Sequence, residues 1–328
     1  MEYLDEITIP NPPKIVVIGA GGGGSNTVER LACMGISGAE LIAVNTDIQH
    51  LSQIRGQRIK KLPIGFSTTR GFGTGGDPAK GRAAAYENQK ELEESLRGYE
   101  LVFLVAGMGG GTGTGSAPVI AKIAKDLGAV VVGVVTLPFE MEGARIDKAR
   151  KGVEELTKNT DSVIVIDNNK LLGYVSYKPV NEALMDADRI TAGSIKSIIE
   201  IVTVPGLVNL DFADIKTVMS QGGISMMNTG IGEGLDRVEE AVKNTLNNPF
   251  IDADCRGAKG VLISITGGNR MTLDETNEIL ELMTKDADEW AHIIYGARIN
   301  SDLGDKVEIT AVMTGLGREL IVDSAAYA

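Results

Sequence analysis

The sequence predicts an α/β protein: a doubly wound domain with a parallel sheet, a long central helix, then an α+β domain with a mixed sheet. Up to about residue 167, short apolar runs alternate with helical patterns, which is typical of parallel strands joined by crossover helices. One helical pattern then covers residues 180–204, and beyond it apolar runs follow one another with fewer helices between them. The expected division is an N-terminal extension at 1–13, a first domain at 14–179, a connecting helix at 180–204, a second domain at 205–317 and a short tail at 318–328.

The first domain opens with a strand, a glycine stretch, a helix and a second strand. The predicted strands are residues 14–19 and 41–44, the glycine stretch is 20–26 and the helix is 27–33. Gly19, Gly21 and Gly24 match GxGxxG, and Asp47 follows about 20 residues later. This is the Rossmann-like dinucleotide pattern, in which glycines let the backbone approach a pyrophosphate at a helix N-terminus. One hypothesis is therefore an NAD-dependent oxidoreductase.

A second glycine loop, residues 107–116, follows the apolar run 101–106 and precedes a predicted helix at 117–127 with Pro118 in its first turn. Backbone N–H groups at such a helix start attract anions, and the threonine hydroxyls add donors. The sequence contains no GxxxxGK[ST] motif, so the lysine of the common phosphate loop is missing. We expect backbone amides, hydroxyls and a metal ion to hold a phosphate here. The alternative, a flexible linker, is disfavoured by the abrupt join between a buried strand and a helix.

A third glycine- and threonine-rich stretch, residues 65–77, allows two interpretations: a mobile surface connection or another phosphate-facing loop. Asp77 and Pro78 then begin a helix that is predicted to run to Arg97. The remaining predicted elements are strands at 129–136, 161–167, 260–266, 290–298 and 306–314, and helices at 145–158, 234–246 and 273–289. Because ligands of doubly wound sheets bind beyond the carboxyl ends of the strands, the glycine loops together predict one polyphosphate pocket.

Composition disfavours several classes of function. Lys+Arg 32 against Asp+Glu 44 gives a net charge of −12, which argues against non-specific binding of nucleic acid or of anionic membranes. The two cysteines have no CxxC spacing and the two histidines lie far apart, so we expect neither a disulfide framework nor a His-based metal site, and we assign no metal ligand. No apolar run reaches about 18 residues. The acidic start of the chain lacks the basic region of a signal peptide, so we expect a cytoplasmic protein without membrane insertion.

An acidic segment with Asn209, Asp211 and Asp214 lies where the two domains are expected to join. The two aspartates are three residues apart, so on a helix both carboxylates lie on one face. The simpler interpretation is that Asp211 is an N-cap and Asp214 a first-turn acidic residue. The functional alternative is that both carboxylates, with Asn209, orient an attacking water, for which the phosphate loops offer no group.

Residues 109–115 read GGGTGTG, which resembles the signature of the tubulin superfamily. With Asn45-Thr46-Asp47 and the segment NLDFADI at 209–215, the chain resembles the FtsZ family of cell-division GTPases. The resemblance runs from about Lys14 to Gly317, with the motifs in the family's order and spacing. It implies that the chain binds GTP or GDP with Mg²⁺ and hydrolyses GTP.

The resemblance also implies a role for each matched residue. The residues that would line the diphosphate are Gly22, Gly23, Gly24, Ser25 and Asn26. Those that would face the terminal phosphate and the magnesium region are Asn45, Asp47, Thr74, Gly75 and Gly76. Those that would wrap the phosphates are Gly109, Gly110, Gly111, Thr112, Gly113 and Thr114. Glu142 and Arg145 would reach the ribose, Leu184 would stack on the base and Asp188 would pair with the donor edge of guanine.

In the family that the chain resembles, the acidic segment enters the pocket of the next subunit. The resemblance therefore implies head-to-tail filaments of this chain, hydrolysis activated by polymerisation, and action at the division site. It also implies membrane-anchor and division proteins as partners, which the tail at 318–328 does not identify. The oxidoreductase hypothesis is disfavoured because a dinucleotide needs one pyrophosphate cradle and this chain offers two glycine loops. A relative that binds nucleotide without hydrolysing it is disfavoured by Asp211 and Asp214.

Overall fold

The computed structural model describes residues 13–169, 180–204, 206–208, 210–246 and 257–316. The strands are β1 Ile15–Ala20, β2 Ala39–Asn45, β3 Ile59–Pro63, β4 Leu101–Gly107, β5 Val130–Leu137, β6 Ser162–Asp167, β7 Ile224–Glu233, β8 Gly260–Gly267, β9 His292–Ile299 and β10 Lys306–Leu316. The helices are α1 Gly21–Cys33, α2 Ile48–Gln53, α3 Phe66–Thr69, α4 Pro78–Glu87, α5 Gln89–Leu96, α6 Thr112–Asp126, α7 Ala144–Thr157, α8 Val180–Thr203, α9 Phe212–Met219, α10 Arg237–Leu246 and α11 Leu273–Thr284.

The strands of the described residues form one ten-stranded sheet in the order β3-β2-β1-β4-β5-β6-β7-β10-β8-β9. Strands β1 to β6 are parallel to their neighbours, whereas β10 runs antiparallel to both β7 and β8. The two halves of the sheet join through a short parallel contact, in which Val163 and Ile164 of β6 pair with Ile224 and Ser225 of β7. The predicted change from a parallel to a mixed sheet is therefore confirmed.

Apolar residues cover both faces of the parallel half of the sheet. In β1, Ile15 and Val17 face one core, and Val16 and Ile18 face the other. Helix α8 packs against the first core, with a buried stripe that includes Ile195. Because neither face meets water, these strands read as continuous apolar runs rather than as alternating ones.

Two helices begin earlier than the sequence predicts. Helix α1 begins at Gly21 and α6 at Thr112, so the glycine stretches form the first helical turns instead of loops before them. Pro118 consequently lies inside α6 and not in its first turn. Glycine is a poor helix former in isolation, so the sequence pattern places these starts too late. The two glycine stretches pack closely against each other, since a Cβ on Gly21 would lie 2.7 Å from the backbone nitrogen of Gly113, and this packing stabilises the early turns.

Other departures have local causes. The predicted helix from 78 to 97 is divided into α4 and α5 at Asn88, whose side-chain oxygen accepts a hydrogen bond from the backbone N–H of Gly65 at 2.7 Å. The helix predicted to end at 289 ends at Thr284. Strands β3 and β7 and helix α2 had no counterpart in the prediction.

Helix α8 confirms the predicted central helix, and it runs from the carboxyl ends of the parallel strands to their amino ends. It has 24 residues and is therefore about 36 Å long. At its C-terminal end the Thr203 hydroxyl donates to the carbonyl oxygen of Ser37 at 3.3 Å, and Ser37 lies just before β2 begins. The segment that follows α8 therefore leaves the helix at the amino edge of the parallel strands.

Candidate functional site

Three threonine hydroxyls join the loops at the carboxyl edge of the parallel strands. The Thr112 hydroxyl, in the first turn of α6, lies 2.6 Å from that of Thr46, which follows β2. It also lies 3.5 Å from the hydroxyl of Thr74, in the stretch before α4. All three side chains are buried. The structure therefore brings the 65–77 stretch to the same place as the two glycine loops, as the phosphate-facing interpretation of that stretch requires.

Some of the predicted glycines are needed for packing. A Cβ on Gly24 would overlap with the carbonyl oxygen of Val105, and one on Gly111 would overlap with the Thr74 hydroxyl. A Cβ on Gly113 would lie 2.7 Å from the carbonyl oxygen of Gly107, closer than real Cβ atoms approach. These three glycines hold the starts of α1 and α6 against β4 and against the 65–77 stretch.

Other predicted glycines leave open space where a side chain would be. A Cβ on Gly22 would meet one atom within reach, the Nε2 of His50 at 4.0 Å, and a Cβ on Gly110 or Gly75 would meet nothing within 4 Å. Gly22 and Gly23 are solvent-exposed in the first turn of α1. The first turn of α1 and Gly110, just before α6, therefore present bare backbone at a helix N-terminus, which is the arrangement that binds phosphate.

The end of β2 is organised by Asn45. Its side-chain oxygen accepts hydrogen bonds from the backbone N–H groups of Thr46 at 2.9 Å and of Asp47 at 3.2 Å, while its amide nitrogen lies 3.3 Å from Nδ1 of His50. Asp47 in turn caps α2, because its carboxylate accepts from the backbone N–H of His50 at 2.9 Å. His50 was not among the predicted residues, although it positions Asn45 and lies beside Gly22. The i, i+5 spacing from Asn45 was the one signal in the sequence.

The loop after β5 contributes a carboxylate and a guanidinium. Arg145 Nη1 lies 2.6 Å from Glu142 Oε2, and the other oxygen of Glu142 accepts from the backbone N–H of Phe139 at 2.9 Å. The backbone of Arg145 packs against Gly109, whose φ of 93° suits glycine. The N–H of Gly109 donates to the Thr114 hydroxyl at 2.9 Å. Of the two predicted ribose-side residues, Arg145 therefore borders the glycine loop, and Glu142 is joined to Arg145 by an ion pair.

The remaining predicted residues, and one lysine that was not predicted, differ in their exposure beside the glycine loops. Ser25 is fully buried and its hydroxyl has no hydrogen-bond partner within the described residues, whereas Asn26 is exposed. Lys148 of α7, which the sequence did not single out, donates to the carbonyl oxygen of Gly76 at 2.7 Å. The backbone of Leu184 and Asp188 belongs to α8, but their side chains lie outside what the structure describes.

The acidic pair lies elsewhere. Asp211 is the N-cap of α9, its carboxylate accepting from the backbone N–H of Ala213 at 3.3 Å, and Asp214 lies in the first turn; both are exposed. The capping interpretation is therefore correct, and it leaves both carboxylates accessible to a partner. At the other end of α9, Met219 lies beside Ser162, which begins β6. Asn209 is outside the described residues.

The structure thus places the acidic pair and the glycine loops at opposite edges of the sheet. The glycine loops leave the carboxyl ends of β1 and β4, whereas α8 ends, and α9 packs, beside the amino ends of β2 and β6. Six residues of β6 alone separate these edges by about 20 Å. One chain does not bring its own Asp211 and Asp214 to its own glycine loops.

No group of three or more metal-ligating side chains occurs among the described residues. Magnesium bound through phosphates needs one or two protein carboxylates, so Asp47 beside the glycine loops fits such an ion. Within the described part of the chain, no helix has the length and apolarity to cross a bilayer.

Two family models cover most of the chain. The GTPase domain of the tubulin/FtsZ family matches residues 14–176, and the C-terminal domain of the FtsZ family matches residues 223–317. Cell division protein FtsZ 2 of Methanocaldococcus jannaschii is 51% identical over 312 residues, which are 94% of this chain and 82% of that protein. The chain belongs to the FtsZ family. FtsZ 1 of Thermococcus kodakarensis is 46% identical over 96% of this chain and 84% of its own length.

Solved structures agree with this assignment. The empty FtsZ dimer of M. jannaschii is 43% identical and superimposes with a TM-score of 0.88 over 93% of this chain and 89% of that one. The CetZ2 protofilament of Haloferax volcanii, at 22% identity and a TM-score of 0.80, shares the fold. FtsZ-family membership gives residues 14–176 a guanine-nucleotide GTPase domain. The oxidoreductase hypothesis finds no support.

Proposed function

We propose that this FtsZ-family chain assembles head-to-tail into filaments, and that it hydrolyses GTP at each contact between subunits. The acidic pair of one subunit would act on the nucleotide held by the glycine loops of the next. Hydrolysis would therefore be activated by polymerisation, and GDP left in the contact would weaken it. A contact that joins two different edges of one chain repeats without closing, which generates filaments.

The observation that carries this proposal is the separation of the two half-sites. The glycine loops offer backbone and hydroxyl donors for phosphate, and the carboxylates of Asp47, Asp77 and Glu142 nearby each already accept a backbone hydrogen bond. Asp211 and Asp214 are exposed at the other edge, where α9 presents both from one turn. Stacking two copies edge to edge would unite the halves.

In the united site each group has a distinct task. Gly22, Gly23 and Gly110 would bind phosphate oxygens through bare backbone, while the packing glycines keep the two helix starts in place. Asn45, Asp47 and the Thr74-Gly75-Gly76 turn would face the terminal phosphate. Mg²⁺, when bound, would offset charge on the β- and γ-phosphates. Asp211 and Asp214, with Asn209, would orient water toward the terminal phosphate.

The other assignments also remain proposals. Ser25, Asn26 and the buried glycine Gly24 would line the diphosphate, and Glu142, Arg145, Leu184 and Asp188 would contact the nucleoside. Residues 14–179 would form the nucleotide domain and residues 205–317 the domain that carries the acidic pair, with α8 between them. Because the relatives are cell division proteins, we expect action at the division site, with membrane-anchor and division proteins as partners.

A mixing experiment tests hydrolysis across the contact. In Gly110→Ala a methyl group enters open space beside the phosphates, so folding is preserved and the pocket is impaired. Asp211→Asn removes a charge but keeps a good N-cap, so α9 is preserved. Each variant alone should lose GTP turnover. An equimolar mixture should recover activity, because about a quarter of randomly formed contacts pair an intact pocket with an intact acidic loop.

The matched control is Asp236→Asn, which removes an exposed carboxylate just before α10 and should keep wild-type turnover. Light scattering should show that both single variants still co-assemble with the wild type. If mixtures that co-assemble stay inactive, hydrolysis across the contact is excluded. For the wild type, GTP turnover should rise steeply above the concentration at which scattering begins; turnover strictly proportional to concentration would contradict activation by assembly.

A further inference from the structure

A groove of about 610 Å³ opens between α4 and α7, and its lining contains none of the open glycines Gly22, Gly75 and Gly110. Its floor is the first turn of α6, at Thr114 and Gly115, and its walls are the facing sides of the two other helices. This volume is within the range of sites for small organic ligands, about 300–1,000 Å³. The groove shares Thr114 and Gly115 with the GGGTGTG segment, but none of the residues of its two walls belongs to the proposed GTP site.

The groove is positively charged in a chain that is acidic overall. Arg82, Lys148 and Lys151 line it, against one carboxylate, Glu155. Arg82 of α4 forms an ion pair with Glu155 of α7 and so closes one end. Lys148 and Lys151 are one turn apart on α7, and Lys151 has neither an ion pair nor a hydrogen bond within the described residues. The chain as a whole carries a net charge of −12, so this concave surface, with two lysines that have no carboxylate partner, stands out as a local site for an anion.

Apart from Arg82, the opposite wall is lined by apolar and aromatic side chains of α4. Ala79, Ala83 and Tyr86 of α4 follow one another at helical spacing on the side that faces α7. Tyr86 is 52% exposed and lines the groove, so its side chain is accessible to a ligand there. An anion that carries a flat ring would place its charge at the lysines and its ring against Tyr86 and Ala83.

We propose that this groove binds a small organic phosphate with a flat ring, and that its occupant is coupled to the nucleotide site. Lys148 is the link, because its ammonium group donates to the carbonyl oxygen of Gly76 in the turn that faces the terminal phosphate. A phosphate is a stronger acceptor for an ammonium group than a neutral carbonyl is. The occupant therefore draws Lys148 away from Gly76 and loosens that turn. This coupling, unlike the groove itself, rests on the proposed function.

Fluorescence titration of the GDP-saturated protein with naphthyl phosphate tests the groove, since GDP keeps the probe out of the nucleotide site. One saturable site is expected, with weaker binding of inorganic phosphate and of naphthol. Lys151→Glu should lower the affinity for naphthyl phosphate about tenfold, as expected for the loss of a charge-assisted contact. The matched control Lys158→Glu makes the same charge change just after α7, outside the groove, and should change affinity by less than about twofold.

The coupling is tested by measuring GDP affinity with and without the probe. Naphthyl phosphate should lower the affinity for GDP, and GDP should lower the affinity for naphthyl phosphate by the same factor. The Lys151→Glu substitution should abolish this mutual effect. No saturable binding, or equal losses in Lys151→Glu and Lys158→Glu, would overturn the proposed site. The proposed site would also be overturned if the groove bound an acidic peptide with the sequence of residues 89–96 and did not bind naphthyl phosphate. Failure of the wild type to bind GDP at all would instead contradict the proposed function, while probe binding would still report on the groove.

Discussion

The carboxyl edge of the sheet and the contact between α8 and the C-terminal strands use opposite chemistry. At the carboxyl edge, loops meet through glycine backbone and the Thr46 and Thr112 hydroxyls, without a buried charge. At the other contact, Glu200 of α8 lies 2.6 Å from Lys196 Nζ and 2.6 Å from Arg298 Nη1 of β9. On the proposed function, the first region leaves its N–H groups for the phosphates of the nucleotide, whereas the second neutralises its charges within the chain. Mutations should therefore affect ligand binding in the first and folding in the second, except at glycines that pack.

The largest effect should come from a packing glycine. Gly24→Ala places a methyl group onto the carbonyl oxygen of Val105, and neither backbone can yield easily, so we expect a loss of about 3 kcal/mol in unfolding free energy. Denaturant unfolding measures it. Gly22→Ala, two residues earlier, should keep its stability and weaken GDP binding about tenfold. Equal stability of the two variants would show that the packing distinction is wrong.

Next comes the charged contact of α8. Arg298→Met removes the guanidinium that binds Glu200 at 2.6 Å and Thr266 at 2.8 Å, and so leaves a largely buried carboxylate with Lys196 alone. We expect a loss of about 3 kcal/mol in unfolding free energy, the low end for breaking a buried ion pair, because Lys196 still pairs with Glu200. GDP affinity, measured by calorimetry, should be unchanged. A variant that keeps full stability would show that the ion pair is replaceable.

A smaller effect is expected at His50. His50→Ala removes the group that holds the Asn45 amide, so Asn45 gains freedom beside the phosphates. GDP affinity should fall about fivefold, and the unfolding free energy should change by less than about 0.5 kcal/mol. His50→Gln offers another acceptor to Asn45 and should restore part of the affinity. Wild-type affinity in His50→Ala would exclude His50 as a positioning residue.

The smallest effect should be a gain in stability. Burial raises the pKa of the Glu308 carboxyl in β10, against the opposing charges of Arg298 and Lys196. A raised pKa in the folded state means that ionised Glu308 costs stability as the pH rises above the ordinary value of 4.5. Glu308→Gln should therefore raise Tm by about 1–3 °C near neutral pH, with no gain below pH 4.5. A gain that is independent of pH would point to packing instead.

The sequence was most informative about features that are formed by consecutive residues. Glycine runs directly after buried strands predicted that glycine backbone lies at the carboxyl ends of β1 and β4, because strand, turn and helix start are consecutive. The same runs misled the helix boundaries: glycine disfavours helix locally, but contacts such as Gly21 against Gly113 stabilise the early turns of α1 and α6. Tertiary packing therefore decided what local propensity could not.

Residues that act across long distances in sequence could not be predicted. Lys148 reaches Gly76 across 72 positions, and no spacing rule connects a charged residue in a helix to a carbonyl in a distant turn. Strand β3 contains the exposed Lys60 and Lys61, which hide its apolar pattern. The location of the acidic pair relative to the pocket likewise depends on where α8 ends, which is a property of the assembled sheet.

The position of α8 has a consequence for the ends of any filament. With the pocket at one edge of the chain and the acidic loop at the other, a row of subunits has one uncovered pocket at one terminus and one unused acidic loop at the opposite terminus. The row therefore contains one fewer complete site than it has subunits. On the proposed mechanism, turnover per subunit would rise with row length towards a plateau, and the two termini would grow by chemically different additions.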